Sequence, residues 1–267
     1  MIISTNEGGI CNRIKSWISC IRYATENKIE CKIQWKVISD YNDNKHILNC
    51  KFKDLFSNNC EIQFLPKKTE QTYNSHCFRV FDKDNIPHNF SKFTSNCKRK
   101  FTKNDSKNRN FDFEYLRIPR NVINNYLPYF KYIKLQKDIL TLIEDFSQKF
   151  TKDTVSLHIR SWCLPNEETR SELHSIDKIK SVLNKYKCKE IFLVSDDKNM
   201  KDNFGEYNII TYNRKSDINR DNTLSIKEDL IELFLLSKNN TMILSHFSTF
   251  SEVAWWLGGC SRNVTIV

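Results

Sequence analysis

Polar side chains stand at the ends of three short apolar runs in the second half of the chain. The runs cover residues 154–160, 190–194 and 241–244, and the polar residues that close or follow them are His158, Arg160, Ser195, Asp196, Asp197, Ser245, His246, Ser248 and Thr249. An Arg guanidinium and the free N–H groups of a helix N-terminus together bind phosphate. Neighbouring carboxylates accept hydrogen bonds from a base or a ribose, so the set predicts a nucleotide site. The alternative is that Arg160 and an Asp only pair with each other.

These side chains can meet only if the three runs are strands of one parallel sheet. Apolar and polar residues alternate over 155–159 as in a strand, and the other two runs are short and apolar, as buried parallel strands are. Segments 176–186, 228–237 and 248–257 have helical patterns, and residues 264–267 suit a closing strand. Strands that alternate with helices predict a doubly wound sheet, which binds ligands at the carboxyl ends of its strands.

The first half begins with the same order of strand, turn and helix. Residues 2–5 suit a strand, Gly8 and Gly9 a turn, and residues 10–24 an amphipathic helix. Residues 31–38 alternate like a second strand. Because the chain contains only 5 glycines, the Gly8-Gly9 pair indicates a place where close approach or backbone freedom is needed.

The pattern divides the chain into two α/β domains. Residues 121–150 are largely helical with a break at Pro128, and residues 67–112 are irregular, polar and basic. We therefore predict an N-terminal α/β domain over 1–140 and a C-terminal Rossmann-like domain over 141–267 that contains the nucleotide site.

Charge predicts an anionic partner without selecting it. Lys and Arg number 42 against 32 Asp and Glu, a net charge of +10, which suits nucleic acid, an anionic membrane surface or a phosphorylated small molecule. Residues 98–109 form either a solvated loop or a flap that binds an anion or the acceptor. We expect no nucleic-acid partner, because the sequence has no signature of a known nucleic-acid-binding fold, and a basic nucleic-acid-binding protein that contacts phosphates through residues 98–109 stays the alternative function of a different class. Peripheral association with an anionic membrane stays an alternative.

Composition excludes other classes of protein. Aromatic residues make up 12% of the chain, which is incompatible with disorder. No apolar run approaches the length of a membrane span, and the N-terminus lacks the pattern of a signal peptide, so we expect a cytoplasmic protein. The 10 cysteines form no CxxC pair and are expected to be reduced. No compact His/Cys/Asp cluster predicts a metal site.

Five sequence blocks carry a resemblance to a known family. They are GGICNRIKSWISCIRYA (8–24), LNCKFKDLF (48–56), SLHIR (156–160), IFLVSDD (191–197) and DLIELFLLSKNNTMILSHFSTFSEVAWWLGG (229–259). Their order and spacing resemble the GDP-fucose-dependent fucosyltransferases related to the nodulation fucosyltransferase and the core α-1,6-fucosyltransferase, and more distantly the protein O-fucosyltransferases. The resemblance implies a GT-B fold, with two Rossmann-like domains facing a cleft: the N-terminal domain (1–140) on the acceptor side and the C-terminal domain (141–267) binding the nucleotide sugar. It also implies GDP-fucose as the donor, a glycan hydroxyl as the acceptor, inversion at the anomeric carbon, and no cofactor or metal.

The resemblance also implies roles for particular residues. Arg160 of the His-x-Arg motif is expected to contact the donor diphosphate, and His158 the nucleotide. Either Asp196 or Asp197 is expected to hold guanine. The phosphate contacts of the late turn correspond to Ser248, Thr249 and Phe250, and the residues of the N-terminal block that reach the donor are Gly9, Asn12 and Arg13.

The chain departs from the family pattern just after Arg160. Core-type enzymes have a second Arg there, whereas this chain has Ser161, followed by Trp162 and Cys163. The candidates to compensate for the missing cation are Arg13, Arg170 and Lys198. The acid eight residues after the motif Arg is Glu168, beside Glu167, and the resemblance makes Glu168 the expected base. The missing Arg keeps open a donor other than GDP-fucose.

Each of these residues also has a purely structural interpretation. His158 would be a satisfied histidine within the sheet, and Asp196 and Asp197 would cap the next helix. Asn12 and Arg13 would only fix the first turn. Trp255 and Trp256 share their helix with apolar residues and are expected in the core rather than under a sugar.

Overall fold

A computed structural model describes residues 1–37, 48–63, 71–73, 113, 115–118, 120–161 and 175–267. The chain divides into two compact units, Met1–Gln136 and Lys137–Val267. The division lies just before a helix that the sequence pattern places across the predicted boundary, so this helix belongs wholly to the second unit.

The first unit is built on a parallel sheet of three strands. Its elements are β1 (Ile2–Ser4), α1 (Ile10–Asn27), β2 (Cys31–Ile33), α2 (Phe52–Leu55), β3 (Gln71–Tyr73) and α3 (Arg120–Tyr126), followed by a 3-10 turn at Leu127–Tyr132. The order is β2-β1-β3, with Ile3 opposite Lys32 on one side and Thr72 on the other. The chain therefore adds β2 next to one edge of β1 and β3 next to its other edge. The turn after β1 lies where the strand order reverses.

Four aromatic side chains join α1 and α2 to the segment after β2. Trp17 of α1 packs edge-on against Phe52 and Phe56, with ring centroids 5.4 and 5.6 Å apart, and Trp35 packs against the same two rings. All four are almost fully buried. The Trp35 indole N–H donates to the Cys50 carbonyl oxygen at 2.8 Å, so its polar end is satisfied within the core.

The second unit is a parallel sheet of five strands covered by helices. Its elements are α4 (Lys137–Ser147), β4 (Val155–Ile159), α5 (Ile176–Leu183), β5 (Glu190–Ser195), β6 (Asn208–Ile210), α6 (Thr223–Leu236), β7 (Thr241–Leu244), α7 (Thr249–Leu257) and β8 (Val264–Ile266). The order is β6-β5-β4-β7-β8, the connectivity of a Rossmann-type sheet. Every residue of β4 is buried, as its central position requires.

The observed elements differ from the predicted ones at several ends. Helix α6 begins five residues before the predicted start, because the Asn222 side chain caps it by accepting the Leu224 N–H at 2.8 Å. Strand β2 ends at Ile33 rather than residue 38. The three-residue strands β3 and β6 are not predicted.

The start of α7 also differs from the sequence pattern. The spacing of Thr249 and Glu252 predicts a capping box, but the N-cap is Ser248, whose hydroxyl accepts the Ser251 N–H at 3.3 Å. Glu252 is buried and accepts a hydrogen bond from the Trp256 indole at 3.4 Å. Burial of Trp256 places it in the core, as the sequence predicts.

Candidate functional site

The second unit has one point where the strand order reverses. From the central strand β4 the chain adds β5 and β6 on one side, and then β7 and β8 on the other. In parallel sheets of this kind, ligands bind in a crevice outside the carboxyl ends of the strands at such a point. The crevice is thus bordered by Arg160 after β4 and by the segment 245–250 between β7 and α7.

Ser245 joins the two strand ends at this crevice. Its hydroxyl donates to the His158 carbonyl oxygen at 3.0 Å and accepts the Arg160 N–H at 2.9 Å. Both bonds are internal to the structure, since Ser245 is fully buried. The backbone of Arg160 is therefore fixed to the loop that begins α7. Ser245 was among the polar residues at the strand ends, but the sequence did not reveal this bridging role.

The first turn of α7, which follows the loop that Ser245 ties to the Arg160 backbone, offers backbone N–H groups. The first α-helical hydrogen bond runs from the Glu252 N–H to the Ser248 carbonyl oxygen at 3.0 Å, so the N–H groups of Thr249 and Phe250 precede the helical pattern. Phe247, just before the N-cap, has φ 52°, a left-handed conformation that non-glycine residues rarely adopt. Backbone strain of this kind clusters at ligand-binding sites.

His158 lies under the same turn rather than at the surface. The side chain is 5% exposed, its Nδ1 is 2.6 Å from the Ser251 hydroxyl, and its ring stacks on Phe250 with centroids 4.9 Å apart. The structure thus brings together His158, Arg160 and the predicted phosphate-binding turn. Ser251 was not singled out from the sequence, because the capping-box spacing pointed to Thr249 and Glu252 instead.

Asp196 and Asp197 follow β5, next to the end of β4. One oxygen of Asp196 accepts both the Ser161 N–H at 2.6 Å and the Ser161 hydroxyl at 2.8 Å. Asp197 accepts the Asn199 N–H at 2.9 Å, and its own N–H donates to the Ser195 hydroxyl at 3.1 Å. Asp197 therefore shapes the turn after β5, which agrees with its structural interpretation, whereas Asp196 ties β5 to β4.

In the first unit, the predicted donor residues surround the turn before α1. Gly9 is the N-cap of α1, and its carbonyl oxygen accepts the Arg13 N–H at 3.1 Å. A β-carbon on Gly8 would lie 2.8 Å from Asn12 Nδ2 and 3.0 Å from Asn6 Oδ1, so only glycine allows these side chains to approach. Asn12 Oδ1 is buried without a hydrogen-bond partner in the part of the chain that the structure describes.

Arg13 is committed to the backbone of its own unit. Its guanidinium donates to the carbonyl oxygens of Gly8 at 2.8 Å, Lys36 at 2.7 Å and Glu7 at 3.4 Å, and lies 4.5 Å from the centre of the Trp35 ring. Burial lowers the pKa of Arg13 to about 10, against the opposing charge of Glu7. These contacts favour the structural interpretation, in which Arg13 fixes the first turn. Its donor-binding role remains only a prediction.

Other predicted residues cannot be placed at the site. Glu168, Glu167, Arg170, Trp162 and Cys163 lie outside the described residues, as do residues 74–112, so the expected base and the basic segment stay predictions. Lys198, a candidate replacement cation, forms an exposed ion pair with Asp217 at 3.6 Å.

The second unit also contains a charged cluster around Arg214, which the sequence did not predict. Arg214, in the loop after β6, donates to Asp229 at 2.8 Å and to Glu232 at 2.6 Å of α6, and its Nε lies 3.7 Å from Glu228. Glu228 also accepts the N–H of Lys215 at 2.6 Å. One cation thus faces three acids, and the cluster fastens the loop to α6.

Desolvation is the largest influence on the pKa values of Asp229 and Glu232 in this cluster. Burial raises the pKa of Glu232 to about 8 and raises that of Asp229 above its usual range, although Arg214 opposes both shifts. Burial alone would lower the pKa of Arg214, but the charges of Glu232 and Asp229 raise it, so the guanidinium stays charged. The acids therefore share one counter-charge that does not neutralise all of them.

Metal and membrane signals can be judged only within the described residues. Over these residues no group of three or more His, Cys, Asp or Glu side chains is arranged to hold a metal ion. No helix among them combines the length and the apolar character needed to cross a bilayer. The cysteines seen there are free thiols, and burial raises the pKa of Cys31 and Cys60 to about 12, which makes them poor nucleophiles.

Comparison with known proteins identifies the fold. No family model and no curated protein matches the sequence. Among solved structures, the fucosyltransferase NodZ from Bradyrhizobium matches 95% of this chain over 91% of its own, with a TM-score of 0.55 and 17% identity. The match to a FUT1 mutant from Arabidopsis thaliana in complex with GDP covers 99% of this chain and 69% of that chain, with a TM-score of 0.53 and 15% identity. The match to POFUT1 in complex with GDP-fucose covers 99% of this chain and 96% of that chain, with a TM-score of 0.52 and 12% identity.

The fold is therefore of the GT-B-like α/β class, with a parallel sheet in each of two Rossmann-like units. This confirms the α/β class predicted from the strand and helix pattern and the GT-B fold implied by the resemblance. The particular proteins that share it are fucosyltransferases, which are the relatives that the five sequence blocks suggested.

Proposed function

We propose that this protein is an inverting glycosyltransferase that moves fucose from GDP-fucose to a glycan hydroxyl. One observation carries the proposal: Ser245 joins the Arg160 backbone to the loop that begins α7, at the reversal point of a Rossmann-type sheet. A guanidinium and helix N–H groups at one crevice suit a diphosphate. NodZ soaked with GDP-fucose and POFUT1 in complex with GDP-fucose have the same fold, which supports this donor.

In the proposed reaction the acceptor hydroxyl attacks the anomeric carbon while the bond to the β-phosphate oxygen breaks. Negative charge grows on the departing GDP. Arg160 and the N–H groups of Thr249 and Phe250 stabilise that charge, and because they are held before the reaction starts, they reorganise little during it. A base takes the proton of the acceptor hydroxyl, and Glu168 is the candidate from the sequence. This division of labour assigns no step to a metal or cofactor.

Within the second unit, the nucleoside is assigned to the end of β5, next to the end of β4. Asp196, held by Ser161 at the end of β4, is a better placed guanine partner than Asp197, whose carboxylate is part of its own turn. In the first unit, the resemblance makes Asn12 and Gly9 proposed donor contacts, and the buried Asn12 amide oxygen, which has no partner among the described residues, is able to accept a hydrogen bond.

A second candidate is transfer from a different nucleotide sugar. The observation that favours it is Ser161, which occupies the position of a second cation in the resembled enzymes and is hydrogen-bonded to Asp196 instead. With one guanidinium fewer, the site has less charge to offer a diphosphate, so the identity of the donor depends more on the base and the sugar.

Thermal-shift and calorimetric titrations with GDP, UDP, CMP and GDP-fucose separate these candidates. Fucose transfer predicts that GDP and GDP-fucose raise the melting temperature, with stabilisation that follows RT ln(1 + [L]/Kd), whereas UDP and CMP do not. Stabilisation by UDP without GDP would favour the second candidate and contradict the fucose donor. Release of GDP from GDP-fucose in the presence of a glycan panel then tests transfer itself.

A further inference from the structure

The hydrogen bond between His158 and Ser251 connects the central strand β4 to the first turn of α7. The His158 Nδ1 and the Ser251 hydroxyl are 2.6 Å apart, and both residues are buried, with 5% and 0% of their surfaces exposed. A buried polar pair of this kind is costly to separate, because each partner loses a bond that water cannot replace. The bond therefore restrains where the turn lies relative to the sheet.

The imidazole contacts the turn at two consecutive residues. Besides the bond to Ser251, the ring stacks on Phe250, with an angle of 27° between the ring planes. Phe250 contributes one of the N–H groups proposed to face the diphosphate, and the N–H of Ser251 donates to the N-cap Ser248. A shift of His158 would therefore move the helix start that the proposed function uses.

The neighbouring position on the same face of β4 has a similar structural role at another helix. Ser156, two residues earlier, donates to the Leu236 carbonyl oxygen at the end of α6, at 2.8 Å, and is also fully buried. Strand β4 thus holds α6 through Ser156 and α7 through His158. Only the second of these contacts lies at the end of the strand where the crevice opens.

We propose that His158 is a positioning residue, which holds the first turn of α7 through Ser251 and Phe250 so that its N–H groups meet the donor diphosphate. This inference rests on the proposed function for its ligand, but the geometry that carries it belongs to the protein alone. It differs from the role implied by the sequence resemblance, in which the histidine contacts the nucleotide itself.

The two roles use different nitrogens of the ring, and two substitutions separate them. An Asn side chain places its amide close to the position of Nδ1 in histidine, whereas a Gln side chain places its amide closer to Nε2. Either amide can donate or accept a hydrogen bond. His158→Asn therefore preserves the bond to Ser251, and His158→Gln preserves a polar group at the far side of the ring.

The first measurement needs no ligand. Amide hydrogen exchange of Ser251 and Glu252, read by NMR on the full chain, reports how firmly the first turn of α7 is held. We expect His158→Gln and Ser251→Ala to speed this exchange about tenfold or more, and His158→Asn to leave it within about threefold of the wild type. The control is Ser156→Ala, which removes a buried serine bond from the same face of β4 and should leave exchange in this turn unchanged.

The second measurement is the affinity for GDP, compared among variants whose melting temperatures have been matched or corrected. We expect His158→Gln and Ser251→Ala to weaken GDP binding about tenfold, while His158→Asn and Ser156→Ala stay within about threefold. If His158→Gln binds GDP better than His158→Asn, the histidine acts by direct contact and the positioning role is wrong. If the exchange of the turn is the same in all variants, the positioning role also fails. Failure of the wild type to bind GDP would refute the proposed function, and the exchange data would still decide whether His158 positions α7.

Discussion

Replacement of Glu232 by Gln should remove a pH-dependent loss of stability that the fold builds into α6. Glu232 is 8% exposed and shares the Arg214 guanidinium with Asp229 and Glu228. Burial raises its pKa from 4.5 to about 8. A carboxyl whose pKa is higher in the folded than in the unfolded state stabilises the fold below its unfolded pKa. That stability is lost as the pH rises towards the folded pKa.

The size of the effect follows from the displacement of the pKa. Between 4.5 and about 8, at about 1.4 kcal/mol for each pH unit, the change in unfolding free energy has an upper bound of about 5 kcal/mol. Part of this change passes to Asp229, which competes for the same guanidinium, so we expect a difference of about 2–4 kcal/mol. Glutamine keeps an oxygen that accepts from Arg214 and never ionises, so the variant lacks this slope.

Urea unfolding of both proteins at several values between about pH 5 and pH 9 measures the difference directly. The unfolding free energy of the variant should rise relative to that of the wild type up to about pH 8, and the difference between them should then stay constant. The control is Asp138→Asn, which breaks an exposed ion pair with Lys227. The hydrogen bond from Lys227 lowers the pKa of Asp138, so its titration lies below this range and its curve should run parallel to the wild type. Parallel curves for Glu232→Gln would refute the reasoning.

Three further predictions concern single side chains. Arg160→Ala should lower turnover of GDP-fucose roughly 10²–10³-fold with the fold intact by circular dichroism, while the exposed Arg262→Ala should not; equal rates would remove Arg160 from the mechanism. Gly8→Ala should cost about 1–3 kcal/mol in urea unfolding, because a β-carbon there would lie 2.8 Å from one asparagine side chain. Gly205→Ala, which meets nothing within 4 Å, should be neutral or mildly stabilising. Arg13→Lys should destabilise the first unit by about 2–3 kcal/mol, since an ammonium cannot reach three carbonyl oxygens held by a planar fork; unchanged stability would contradict its structural role.

The regular elements of the second unit could be predicted because their patterns are strong. The alternation over Val155–Ile159 and the apolar runs at β5 and β7 mark buried parallel strands, and their order with the helices defines the sheet. The strand ends followed directly, and the structure shows that β4, which ends before Arg160, is paired with β7. Fold class and the location of the candidate site therefore depend on local patterns that a single sequence contains.

The contacts that tie these ends together could not be predicted in the same way. Ser245 bridges to residues 85 and 87 positions away in the sequence, and the His158–Ser251 bond spans 93 positions. No local spacing encodes such pairs, because they depend on how two strands and a helix pack.

The Arg214 cluster was missed for a related reason. Glu228, Asp229 and Glu232 on a helix look like an ordinary solvated face, and nothing in the sequence shows that a loop arginine 14 to 18 residues earlier covers them. An acidic face is predicted to be exposed unless a buried cation is known. Here the tertiary structure decides against the local pattern.

The departure from the family pattern at Ser161 explains why the start of α7 matters so much in the proposed mechanism. The resembled enzymes have a second cation at this position. Here the N–H and the hydroxyl of Ser161 both donate to Asp196. The end of β4 is thereby tied to β5 on one side and, through Ser245, to β7 on the other. Under the proposed function, a site with one motif guanidinium leaves a larger share of the diphosphate charge to backbone N–H groups, whose contribution depends on their position rather than on their charge. In such a site, displacement of the helix should weaken donor binding more than loss of a surface charge does. Substitutions that break the buried hydrogen bonds beneath the turn therefore test the mechanism directly.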